Sequence, residues 1–159
     1  MNARLIPTLP TVMLTVFGLW QIVAGLGTLI PKFVHDRVPN QFVPVVTWFT
    51  KAFGVAEPDP ATMKTVAHIC QWIIGPVELV VGATALAAAF NRPRRLVLTN
   101  FSMGLAAGLF GAFLLTMFIM HDKTLPAWNQ YPAISAWIAG TWLVVVAWEK
   151  GWTHAPKAE

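Results

Sequence analysis

Four stretches of this chain, at about 11–30, 66–90, 96–120 and 133–149, stay apolar over roughly the 20 residues a helix needs to cross a bilayer core. Lipid offers no hydrogen bonds, so a backbone placed there must satisfy its own, and a helix does so without a partner segment. The polar–apolar alternation of a membrane strand is absent. Charged residues are only 11% of the chain, against about a quarter in soluble domains, too few to coat a water-soluble fold. The expectation is an all-α fold: residues 1–159 form a single domain, an integral membrane four-helix bundle. The first run is expected to be a retained span. It is longer than the roughly 7–15 residues of a signal core, and it reaches Pro31-Lys32-Phe33 without a small-x-small cleavage site.

The net charge of +4 sits mostly in short connections, where basic residues set topology rather than bind nucleic acid. The strongest orientation signal is "NRPRR", with Arg92, Arg94 and Arg95 between the second and third runs. It predicts a multi-pass protein of a bacterial inner (cytoplasmic) membrane with both termini cytoplasmic. The long first connection contains "QFVPVVTWFTKAFGV". Phe42, Val46, Phe49 and Phe53 recur there at helical spacing, which predicts a short interfacial helix over 42–53, or a lid packed on the bundle. Trp128 and Tyr131 at one end of the last run, and Trp148 and Trp152 at the other, are expected to anchor at headgroup depth.

The second run carries polar residues inside its apolar stretch, "HICQWIIGPVELVVG". At 100° per residue, His68, Gln71, Gly75, Glu78 and Gly82 fall within a sector of about 80°. The first run has a matching face of Thr15, Gly18, Gln21, Gly25 and Thr28, and the third offers Asn100, Gly104, Gly108 and Gly111. Small residues let helices approach closely, so all three faces are expected to turn inward around a polar seam. Glu78 falls near mid-membrane, where an ionised carboxylate costs at least about 3 kcal/mol. Its expected partner is Gln21 or a backbone carbonyl freed by Pro76. Two roles stand open for it: a catalytic, proton-handling or ligand-binding carboxyl, or an interhelical hydrogen bond that fixes packing.

His68, His121 and His35 all fall toward the outer side by topology. His68 and His121, with Gln71 and Gln21, are the candidate cofactor contacts. A quinone headgroup is the first candidate and a haem a more distant one, because a haem needs a cavity. The histidines can equally be boundary residues bonded to water. Cys70 is the only cysteine, so neither an internal disulfide nor a Cys-rich metal site is available, and no metal ligands are assigned.

Two segments carry a family resemblance: "FGLWQIVAGLGTLIPKF" (17–33) and "GPVELVVGATAL" (75–86). Together they resemble the DoxX-like family of small four-helix membrane proteins. The resemblance implies a membrane subunit associated with redox partners, one branch being linked to thiosulfate:quinone oxidoreductase. It also implies that Glu78 and Lys32 stand at the family's glutamate and lysine positions.

Three functions follow as expectations. The first is a quinone-linked redox subunit in which Glu78, Gln71 and His68 manage protons or hydrogen bonds, with electrons arriving from other membrane or redox subunits. The second is a non-catalytic scaffold or accessory subunit of a larger membrane complex. The third is a small transporter.

Overall fold

The computed structural model describes residues 8–35, 42–55, 59–120 and 130–151. Among them the chain forms five α-helices: α1 (Leu9–His35), α2 (Phe42–Ala52), α3 (Pro60–Phe90), α4 (Arg95–Met120) and α5 (Gln130–Glu149). All except α2 are long and apolar enough to cross a membrane. The architecture is therefore the expected all-α membrane bundle with a short extra helix in the first connection.

The helices outrun the apolar runs that announced them. At α3 the reason is local: the Asp59 carboxylate accepts from the Thr62 amide at 2.8 Å, and Pro60 takes the first helical position, where its missing N–H costs nothing. Helix α1 does not end at Pro31 but continues through it to His35. The α3–α4 connection is a 3₁₀ turn, Arg92–Arg94, whose Asn91 side chain accepts from the Arg94 amide at 3.3 Å.

Helices α1 and α3 make the tightest pairing, and glycine permits it. Gly18 lies against Gly82, and Gly25 against Gly75. A Cβ on Gly82 would stand 2.8 Å from the Gly18 carbonyl oxygen and 2.9 Å from the Ile22 nitrogen, so no side chain fits there. This seam was legible in the first two polar stripes.

The third stripe lies elsewhere. Gly104, Gly108 and Gly111, expected to face inward, would each present a Cβ to open space, with nothing within 4 Å. Gly104 and Gly111 border an open groove of about 530 Å³ between α4 and α5, together with Ala107, Ala139 and Trp142. Asn100 sits on the same exposed side and accepts from the Trp142 indole N–H at 2.8 Å. The face that α4 turns inward is Arg95, Thr99, Ser102, Met103, Ala106 and Phe110. A row of small residues marks a surface that something can approach closely, but it does not say which neighbour does.

Arg95 was expected to act as a loop charge. It is instead 2% exposed and ties the bundle end together. Its Nε–H donates to the Ala88 carbonyl at 3.2 Å, Nη2 to the Ala89 carbonyl at 3.1 Å and to Thr11 Oγ1 at 3.2 Å, and Nη1 to Glu149 Oε1 at 3.1 Å. One guanidinium thus connects α1, the end of α3, α4 and α5. The α3 carbonyls it takes belong to the last turn, which lacks intrahelical donors.

Helix α2 lies across the opposite end. Val46 packs with Met63 and Ala67 of α3, while Val45 and Trp48 pack near Phe113 of α4 and Tyr131 of α5. Its end turns outward, with Phe53 81% exposed. The helix therefore both caps the bundle and presents an apolar ring to its surroundings.

Candidate functional site

Beneath α2 the four spanning helices diverge around a cavity of about 750 Å³. Its walls are largely aromatic: Trp20 from α1, Phe42 and Phe49 from α2, Phe110 and Phe113 from α4, and Tyr131 from α5. Phe113 and Tyr131 stack with centroids 5.1 Å apart and planes 9° apart, and Phe49 stands edge-on to Phe113 at 5.4 Å. Tyr131 was expected to anchor at the membrane surface. It is instead held in this ring cluster and lines the cavity. The polar groups on the wall are few: Thr28, Thr50, Cys70, Glu78, Gln130 and Tyr131.

Glu78 reaches the cavity because α3 sets it one turn beyond Gly75, on the flank of the glycine seam. It is 7% exposed, and Thr28 Oγ1 of α1 donates to its Oε2 at 3.0 Å. The expected partner was Gln21 or a freed carbonyl. Thr28 takes the place because its short hydroxyl points across the seam from the same α1 face. The Thr28 backbone carbonyl in turn accepts from Gln71 Nε2 at 2.5 Å. Thr28 is thus fixed at both ends, and it holds one carboxylate oxygen. No Lys, Arg or His borders the cavity among the described residues, so the acid has no basic counter-ion there.

The other expected site residues are not gathered around this cavity. Gln71 is fully buried behind Thr28 and does not border it. Gln21 is also fully buried away from it, and neither its Oε1 nor its Nε2 has a hydrogen-bond partner among the described residues. His68 does not border the cavity either, and its buried Nδ1 has no hydrogen-bond partner among the described residues. His121, Trp128 and the side chains of Lys32 and His35 lie outside the described residues.

Two further hydroxyls, Thr99 Oγ1 and Thr141 Oγ1, are likewise buried without a partner among the described residues. Each such atom costs about 1–3 kcal/mol if its surroundings are dry. Sequence reasoning missed both, since a lone threonine in an apolar run gives no signal of its burial. It also missed the aromatic walls, whose rings come from α1, α2, α4 and α5.

No known family model matches this chain, no characterised protein matches its sequence, and no solved structure matches its fold.

Proposed function

We propose that the protein is a membrane-embedded binding subunit of a quinone-linked redox system, with a quinone-class ring held in the cavity beneath α2. The observation that carries this reading is the aromatic cavity with a single carboxylic acid on its wall. Its volume of about 750 Å³ lies within the roughly 300–1,000 Å³ of pockets that enclose small ligands. A flat ring stacks on Trp20, Phe110, Phe113 or Tyr131, and its polar edge meets Glu78. Protonated, Glu78 donates to a ring carbonyl; ionised, it accepts from a ring hydroxyl. A bound quinone supplies reversible two-electron, two-proton chemistry. This chain supplies the proton-holding group beside it and the dry walls around it. A single cysteine cannot hold a Cys-ligated cluster, so electrons come from a partner subunit.

The DoxX-like resemblance around Glu78 supports the same reading. The exposed Arg92 and Arg94 of the α3–α4 turn support, by the positive-inside rule, an orientation with that turn and both chain ends on the cytoplasmic side of a bacterial inner membrane and the cavity toward the outer face.

The test is titration of the reconstituted protein with a short-tailed quinone, followed by tryptophan quenching. Saturable quenching is expected, because Trp20 borders the cavity. It should disappear in Ala24→Phe, which fills the space. Glu78→Gln should assemble normally and lose quinone-dependent turnover. Quenching that never saturates, or that survives Ala24→Phe unchanged, refutes the reading.

An accessory-subunit role is favoured by one observation, the open small-residue groove between α4 and α5. Under that role, Gly104→Leu disrupts the larger complex, while Glu78→Gln leaves it fully active.

A further inference from the structure

Between Glu78 and the Arg95 knot the bundle core is not uniformly apolar. Gly18 opposes Gly82 and Gly25 opposes Gly75, which puts Gln21 level with Glu78 and Leu79 on neighbouring faces of α1 and α3. One turn further toward the Arg95 end, the Ser102 hydroxyl of α4 donates to the Val81 carbonyl at 2.9 Å. The Asn100–Trp142 bond sets the register of α4 and α5, which brings Thr141 to about the level of Ser102. Thr99 is a turn beyond Ser102, and Arg95 a turn beyond that, on one face of α4. Gln21, Ser102, Thr99 and Thr141 are each fully buried. Four helices therefore place polar groups at successive levels, about one helical turn of 5.4 Å apart, from Glu78 down to Arg95 and Glu149.

Of these, both polar atoms of Gln21 and the hydroxyls of Thr99 and Thr141 have no partner among the described residues. So many orphaned atoms in a dry core are too costly to tolerate. A step of one turn is about the span of two hydrogen bonds of roughly 2.8 Å through a single bridging water.

We infer that Gln21, Thr141 and Thr99 line a hydrated polar column through which protons pass between Glu78 and the Arg95–Glu149 end of the bundle. The column gives the cavity acid access to the side away from α2. Its purpose rests on the quinone reading above, since ring reduction consumes protons, but the column itself is tested without a quinone. The titratable groups it joins are Glu78 at one end and Arg95 and Glu149 at the other. At the cavity, α3 adds Cys70 and α5 adds Tyr131, while α1, α2 and α4 contribute no titratable group to the lining.

The experiment uses the full chain, reconstituted in liposomes in one orientation and treated with a lipophilic carbodiimide, which labels protonated carboxyl groups. Labelling of Glu78 is read by mass spectrometry while pH is changed on one side at a time. In the parent protein the labelling rate should follow pH on the Arg95 side, approaching tenfold per pH unit above the Glu78 pKa. In Gln21→Leu and in the near-isosteric Thr141→Val, that response should fall at least tenfold, while the response to the α2 side and the thermal midpoint are kept. The inference is overturned if labelling ignores Arg95-side pH, if neither variant alters that response, or if Glu78 is not labelled at any pH. Quinone content is measured on the same preparation. A quinone-free protein that keeps the Arg95-side response refutes the ligand reading and leaves the column standing.

Discussion

Replacing Gly82 by alanine adds one methyl group at the narrowest point of the α1–α3 seam. That carbon would lie 2.8 Å from the Gly18 carbonyl oxygen, 2.8 Å from Ile22 Cγ1 and 2.9 Å from the Ile22 nitrogen. Ordinary contact begins near 3.4 Å, and two of the three atoms are backbone, so the helices must separate by roughly half an ångström or more. A gap of that size forfeits a quarter or more of each dispersion contact along the seam. Overpacking of this kind costs about 1–3 kcal/mol, and the backbone obstruction puts Gly82→Ala toward the upper end. Alanine also regains about 1 kcal/mol of helix propensity, which would hide part of the loss. Gly108→Ala is the control, because its methyl meets nothing within 4 Å while it gains the same propensity. The difference between the two variants is then the packing cost alone, about 2–3 kcal/mol. Reversible unfolding in mixed micelles, followed by tryptophan fluorescence, measures it. If the two variants agree within about 0.5 kcal/mol, the seam does not hold the bundle as described.

Breaking the guanidinium knot should be costly: Arg95→Met leaves Glu149 and the Ala88 carbonyl without their donor and the Ala89 carbonyl with only the 3.5 Å bond from Thr11, for an expected loss of about 2–4 kcal/mol in the same unfolding assay. Glu149→Gln should cost distinctly less, since Glu149 is 28% exposed and Arg95 keeps its three other acceptors. Thr28→Val removes the hydroxyl donor to Glu78, an expected loss of about 1–3 kcal/mol, whereas Thr28→Ser should retain most of the stability. The Thr62 amide and hydroxyl hold the Asp59 carboxyl below its ordinary 3.8. Its capping contribution is therefore present above that pH and lost as pH falls through the lowered value. Hydrogen-exchange protection in the first turn of α3, corrected for the intrinsic rate at each pH, should fall as pH drops below 3.8 in the parent protein, and that change should be absent in Asp59→Ala.

The sequence made the four spanning helices legible because lipid imposes one rule on every residue in a span, and long apolar runs record it directly. It also located the α1–α3 seam, since glycines and polar residues spaced at three and four share one helix face, and Thr28, Gln71 and Glu78 do meet along it. What periodicity does not encode is which neighbour a face meets. For that reason the Gly104–Gly108–Gly111 row was assigned inward although each faces open space and Gly104 and Gly111 border an open groove. Arg95 was read as a topological charge because its three neighbours in the turn are polar or proline; only the fold shows its head group returning to the ends of three other helices. The cavity depends on rings contributed by four separate helices and an acid from a fifth, and no local pattern announces such a convergence.

The most direct test of the quinone-binding reading is the mass of whatever leaves its native membrane still bound to this chain, read by native mass spectrometry. The expected result is one redox-active ring compound per chain in the parent protein and none in Ala24→Phe. Bare protein, phospholipid alone, or the same adduct in both proteins contradicts it.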